Sequence, residues 1–305
     1  GIILAILSKN ILEDVKECFK KNTNMILSLN DFITYRVNWR EKYLNINEIA
    51  SELNIGKDSI VFFDDSKFER DQMKKMNPEI NVINVPKDAS NFIESIEDTA
   101  FFKSQKTLNE DLKKKKQYKI ISKFNSSKAK FKDTDSFLKS LKMKLSISKI
   151  NNRNFERCVQ MSNKTNQFNL TNLRFTETSL KNYLKKNKSI SLVGSLQDKF
   201  GNHGTTCMAI ARKSNNIYII DTFLLSCRIF GRKVEYTLLA ELFKKLKDKT
   251  TIINGIFNKS KKNKEFANFF IENAFKKKSK KYFEKNIRDF NYKKSGLFKI
   301  SYEKN

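Results

Sequence analysis

Short apolar runs alternate with helically spaced apolar positions along the first hundred residues. Residues 2–7 read as a buried strand that ends at Ser8, and residues 11–21 as a helix with Ile11, Leu12, Val15, Cys18 and Phe19 on one face. Residues 33–37 read as a second strand and 42–53 as a second helix. A run of β-formers at 59–63 stops at Asp64-Asp65, and a third helix starts near Lys67. Residues 81–85 form a fourth strand, halted by Pro86, and 89–96 a fourth helix. Buried strands alternating with helices predict a parallel sheet covered on both faces. Chemistry in such sheets gathers at the carboxyl ends of the strands, where Ser8 and Asp64-Asp65 lie.

The pattern then changes. Residues 104–133 are polar, lysine-rich and helical in tendency, which predicts a connector. A second unit begins at Thr134 with a strand at 141–147 and a helix at 152–162. Three extended segments follow, at 190–196, 205–211 and 217–225, with Gly201-Asn202-His203-Gly204 read as the turn between the first two. A strongly amphipathic helix at 234–246, a strand at 251–256, a helix at 265–274 and two short strands complete an α+β unit. The expected domains are therefore residues 1–98, a helical connector at 99–133, and residues 134–305.

Composition narrows the classes. The chain is 39% hydrophobic, within the globular range, and its four cysteines lack the paired spacing of a disulfide scaffold or a zinc knuckle. A reducing, cytoplasmic compartment is the expectation from that cysteine usage. No apolar run approaches the roughly 18 residues of a membrane span. Residues 1–97 hold 13 basic and 16 acidic side chains, so the whole +28 excess lies in the remainder. Lysine outnumbers arginine 51 to 10, and lysine lacks the bidentate fork of base and phosphate readers. A solvated basic surface, or an acidic protein partner, fits that bias better than nucleic acid. The runs at 113–116 and 276–278 are too short to decide it.

Three features of the first unit have matching chemistry. Ser8 closes strand one, Lys42 opens the helix after strand two, and Asp64 and Asp65 close strand three. A hydroxyl, a cation and paired carboxylates are what phosphoryl transfer needs to hold phosphate oxygens and Mg²⁺. The plain alternative for Asp64-Asp65 is a helix N-terminus. In the second unit, Arg228-Ile-Phe-Gly231-Arg232-Lys233 joins a strand to a helix. Such a loop suits a pyrophosphate at the helix N-terminus, and its plain alternative is an ordinary helix start. Cys227 precedes it, and beside Arg228 a thiol of lowered pKa would serve as an acyl acceptor. Its alternative is a small buried strand residue, the reading given to Cys18, Cys158 and Cys207. His203, the single histidine, is assigned to the surface of its turn. Asn163–Thr171 and Asp221-Thr222 are pocket candidates of undetermined role.

The strings LAILSKN, NWREKYLNINEIASELNIGKDSIVFFDDSKFER and DTFLLSCRIFGRKVE resemble the FkbH-like proteins. These are haloacid-dehalogenase (HAD) superfamily phosphatases of subclass IIIC with an appended GNAT-like acyltransferase domain. The resemblance implies a Rossmann-like α/β HAD domain followed by an α+β GNAT-like domain. It matches Ser8, Lys42 and Asp64-Asp65 to the second, third and fourth phosphatase motifs, with Asp64 and Asp65 as Mg²⁺ ligands. Arg228, Gly231 and Arg232 would seat phosphopantetheine or coenzyme A, with Lys233 standing where Gly or Ala is expected. Cys227 would carry an enzyme thioester. The implied activity loads an acyl group from a small phosphorylated donor, such as 1,3-bisphosphoglycerate, onto an acidic acyl carrier protein and removes the phosphate. A plain acyl-CoA transferase with a structural HAD domain is the alternative, and a lysine-rich nucleic-acid binder a distant one. The family's leading D-x-D-x-T motif is missing. Asp133-Thr134-Asp135 lacks the apolar strand before it, and the expectation is that the nucleophile lies upstream of Gly1.

Overall fold

A computed structural model describes every residue except 1, 103–113, 129, 187, 289, 291–295 and 304–305. The chain divides into two compact units, residues 1–127 and 128–305. Part of the expected connector, and part of the 113–116 lysine run, falls outside the described residues.

The first unit runs β1 (Leu4–Ser8), α1 (Leu12–Lys21), β2 (Phe32–Val37), α2 (Lys42–Leu53), β3 (Val61–Phe62), α3 (Lys67–Met76), β4 (Asn81–Val82), α4 (Phe92–Glu97) and α5 (Lys114–Lys128). Every strand pairing is parallel, as the alternation predicts. They form two separate pairs, β1 with β2 and β3 with β4, and not the single sheet expected. Strands β3 and β4 are two residues each, too short for a wider ladder. The pairs nonetheless share a core: Leu7 of β1 packs on the cluster of Ile46, Phe62, Met73 and Ile80. Helix α5 is no mere connector. Its Asn125 Nδ2 donates to the Glu52 carbonyl at 2.7 Å, and its Tyr118 packs on Ile33, Ile49 and Leu53. Helix α1 has no buried residue, and Cys18 is exposed, against the core position expected of it.

The second unit contains α6 (Thr134–Ser140), β5 (Met143–Ser148), α7 (Phe155–Lys164), β6 (Phe168–Asn169), α8 (Glu177–Lys186), β7 (Ile190–Asp198), β8 (Gly201–Ser214), β9 (Ile217–Leu225), α9 (Val234–Leu246), β10 (Ile252–Ile256), α10 (Phe269–Glu272), β11 (Lys276–Lys277), β12 (Tyr282–Asn286) and β13 (Phe298–Tyr302). Asp133 caps α6, accepting from the Asp135 and Ser136 amides, so Asp133-Thr134-Asp135 is a helix start. The strands order β11-β12-β10-β9-β8-β7-β5-β13. Only β9–β10 and β5–β13 are parallel along this path, which makes the sheet mixed. Helices α7 and α8 cover one part of it, with Cys158, Met161 and Leu180 packing on Val193, Met208, Ile210 and Leu224.

Two features of the sheet bear on the sites. First, β9 and β10 pair only over Tyr218–Ile220 and Ile253–Gly255, then part. Strand β6 fills the fork: Phe168 and Asn169 pair with Leu225 and Leu224, and the Leu170 carbonyl accepts from the Asn258 amide at 2.8 Å. Asn263 Nδ2 locks it, donating to the Asn169 and Asn258 carbonyls. Residues 168–170 are therefore a structural wedge. Second, the ladders bulge. His203 is an extra residue between the Leu196–Gly204 and Gln197–Asn202 pairs, and Asp221 is extra between Ile210–Thr222 and Ala211–Ile220. An extra residue re-aims its side chain.

Gly255 sits where Phe270 crosses β10; a Cβ there would lie 2.4 Å from the ring. Phe270 is itself caged by Phe269, Phe275 and Phe283. Gly255→Ala should therefore destabilise the second unit by about 2 kcal/mol, read as a lowered urea midpoint at unchanged m-value.

Candidate functional site

In the first unit, Lys42 and Asp64 meet although 22 residues separate them. Lys42, the first residue of α2, places Nζ 2.6 Å from Asp64 Oδ2, and both side chains are largely buried. Asp64 Oδ1 accepts the Ser66 amide at 3.0 Å, and Ser66 caps α3. Arg70 reaches back from α3 to the Asp64 and Asp65 carbonyls, at 2.7 and 2.8 Å, and fixes the turn. Asn45, almost fully buried, bonds Asn38 and so holds the β2–α2 loop. Ser8 is half-buried at the end of β1, and its carbonyl accepts from the Asn38 amide. Its neighbour Lys9 bridges Glu41, just before Lys42, and Glu69, in the first turn of α3. Those hydrogen bonds, Glu69 foremost, raise the Lys9 pKa. The strand end bearing Ser8 is thus tied to the elements that carry the ion pair. Among the described residues no hydrogen bond links Ser8 Oγ to Lys42 or Asp64.

The acids do not fit a magnesium ion by themselves. Both Asp64 oxygens already accept, one of them from an ammonium, and Asp65 is exposed. Among the described residues no three metal-ligating side chains converge. A magnesium site here would need a further carboxylate.

In the second unit the loop after β9 departs from expectation. Cys227–Ile229 is a single 3₁₀ turn, and Gly231 (φ 77°) and Lys233 (φ 60°) are both left-handed. Between them Arg232 turns inward and is 1% exposed. Its Nε lies 2.9 Å from Asp198 Oδ2, and its Nη1 donates to the Arg228 carbonyl at 3.2 Å. That is the posture of a core anchor, which corrects the assignment of Arg232 to a pyrophosphate. For Cys227 it is the expected lowering of the thiol pKa that is corrected. Burial pushes its thiol pKa up, outweighing the Arg228 charge that was expected to lower it. Arg228, largely buried, donates from Nε to Ser226 Oγ at 3.1 Å.

His203 is not at the surface of a turn. The turn is Lys199-Phe200, whose Phe200 amide donates to Asp198 Oδ1 at 2.8 Å. His203 lies within β8, fully buried, with Nε2 3.0 Å from Asp198 Oδ2. Burial works to raise the Asp198 pKa, but the His203 hydrogen bond and the Arg232 charge prevail and hold it down to about 2. Arg232 already balances that carboxylate, so burial keeps His203 neutral, its pKa below the usual imidazole range. A second buried acid, Asp221, meets Tyr183 of α8 and Arg212 of β8, the latter at 2.9 Å. Burial raises the pKa of both Asp221 and Tyr183. Cys158 and Cys207 are core, as expected, and burial pushes the Cys207 thiol up to about 12.

Sequence reasoning missed Lys9, Glu69, Asp198, Arg212 and Tyr183. Only Asp198 left a signal, because Asp198-Lys-Phe-Gly201 has the form of an Asp-initiated turn.

No helix among the described residues is long and apolar enough to cross a membrane. No family model matches the sequence, and a search of curated proteins returns no match. Solved structures give partial likenesses. One is the N-terminal part of the protein BF1531 from Bacteroides fragilis, containing a phosphatase domain complexed with Mg: 37% identity, TM-score 0.34, over 35% of this chain and 28% of that one. The ribosomal-protein-S18-alanine N-acetyltransferase of Escherichia coli matches at 8% identity and TM-score 0.36, over 46% of this chain and 90% of that one. The PaiA N-acetyltransferase of Thermoplasma acidophilum, in complex with coenzyme A, matches at 15% and 0.37, over 47% and 98%. The match thus spans little more than a quarter of the solved Bacteroides chain, and at these TM-scores the likenesses carry no weight of their own.

Proposed function

We propose that the chain is part of a two-part enzyme, with a phosphoryl-binding site in its first unit and an acyl-transfer site in its second. What carries the first half is the meeting of Lys42 with Asp64 at the end of β3. An ammonium held over a strand-end acid, with Ser8 at the neighbouring strand end that Lys9 ties to the same elements, suits a phosphate group on the substrate. Ser8 and Lys42 would hold phosphate oxygens, while Asp64 orients the lysine. The attacking carboxylate is absent from the sequence.

For the second unit, Arg228 and Gly231 remain as loop residues suited to a phosphopantetheine or coenzyme A arm. Held there, that arm would supply a thiol as acceptor for the acyl group of a phosphorylated three-carbon acyl phosphate, the new C–S bond replacing the C–O bond to phosphate, which would leave carrying the thiol proton. The basic excess outside residues 1–97 favours an acidic carrier protein as the owner of the thiol.

The test is mass spectrometry of a pantetheinylated carrier protein, and of coenzyme A, incubated with such a donor. An acyl adduct on the carrier is the expected result; neither acceptor acylated would sink the reading. The same chain should release no phosphate from an aryl phosphate above the buffer rate, with or without Mg²⁺.

A further inference from the structure

We propose that Asp198 is a positioning residue for the loop at residues 227–233, acting through Arg232, with His203 as its buried support. The inference rests on the acyl-transfer reading for its purpose, but its geometry stands apart. The loop has an uncommon backbone. Gly231 and Lys233, on either side of Arg232, both take positive φ. Glycine does so freely, whereas a lysine does so only where its surroundings over-determine it. No side chain caps the helix start at Lys233.

What over-determines the loop is the Arg232 guanidinium, drawn into the unit by Asp198. That acid is itself doubly fixed. Its Oδ1 accepts the Phe200 and Gly201 amides of the β7–β8 turn, while Oδ2 faces Arg232 and His203. His203 reaches it because of the β8 bulge. Arg232 in turn donates to the carbonyl of Arg228 and closes the loop on itself. A hairpin turn at one end of the sheet therefore sets the loop that opens α9. The ligand this arrangement serves is an anionic pantetheine or nucleotide arm seated at that loop.

Cys227 reports the loop directly. It is partly covered, whereas Cys158 and Cys207 are buried and Cys18 is exposed. In the full chain carrying Cys18→Ser, alkylation by iodoacetamide reads Cys227, and the two buried thiols read general unfolding. Asp198→Asn should raise the Cys227 rate by roughly tenfold, with Cys158 and Cys207 still protected. It should weaken coenzyme A binding, measured by calorimetry, by a similar factor. Adding Lys233→Gly should return at least half of the protection, because glycine holds the left-handed turn without the anchor. A purely structural acid would gain nothing from that second change.

A folded Asp198→Asn protein with Cys227 reactivity within about twofold of the parent overturns the proposal. So does parallel exposure of all three thiols. Should Asp198→Asn not fold, Asp198→Asn/Arg232→Met is measured in its place, with the same expectations. Failure of the parent protein to bind coenzyme A counts against the acyl-transfer reading alone, and the alkylation rates still decide the positioning role.

Discussion

Arg232→Met should remove about 3–5 kcal/mol from the stability of the second unit, because it leaves the Asp198 carboxylate buried without its cation. Asp198 and Arg232 are 6% and 1% exposed, so water cannot replace the lost partner. The aliphatic stem of methionine fills most of the vacated volume, and packing loss stays secondary. Asp198→Asn/Arg232→Met should recover most of the deficit, since a neutral amide tolerates burial where an unpaired charge does not. Urea unfolding followed by far-UV circular dichroism measures both proteins. Trp39, the single tryptophan, lies in the first unit and follows that unit separately by fluorescence. A single variant within about 1 kcal/mol of the parent would mean that the buried pair contributes little.

Stability should fall as the pH drops from 7 to 5, and His203 should account for the fall. Its pKa in the folded chain lies below the ordinary 6.5 because of burial. The unfolded chain therefore takes up a proton first, and stability is lost as the pH passes down through about 6.5. One group contributes at most about 1.4 kcal/mol per pH unit. Asp198, held at about 2, keeps its contribution until the pH falls below its ordinary 3.8. Buried Asp221 and Glu235, with raised pKa values, act in the opposite sense. The diagnostic is therefore a difference between parent and His203→Gln across pH 5–7. As no other histidine exists, the variant should lose the imidazole slope and keep the carboxylate one. Parallel profiles would contradict the neutral, buried assignment.

How much of this was legible depends on the range of the forces involved. Local periodicity placed α2, β9 and α9 at their observed bounds, because a long apolar face or a β-branched run declares itself within its own window. The residue types in the first unit also led to Lys42 and Asp64, which the structure joins. Three things were out of reach. Strand β6 owes its existence to the fork between β9 and β10, a partner distant in sequence. The segment 201–204 looks like a turn through its glycines, yet Gly204, at φ 67°, sits in a bulge of β8. Arg232 carries the composition of a phosphate ligand and the position of a core anchor. Only the location of Asp198, thirty-four residues earlier, distinguishes the two.

The wedge formed by β6 limits how any elongated ligand can approach the central sheet. A pantetheine arm is a chain of amides, and a strand with open main-chain groups would pair with it like an added strand. Along the last residues of β9 those groups are already satisfied on both flanks, by β8 and by β6. An arm entering there would have to evict a segment anchored by buried Phe168 and Asn263. On the acyl-transfer reading, such an arm would have to approach over the 227–233 loop, end-on to the sheet, and not between the strands.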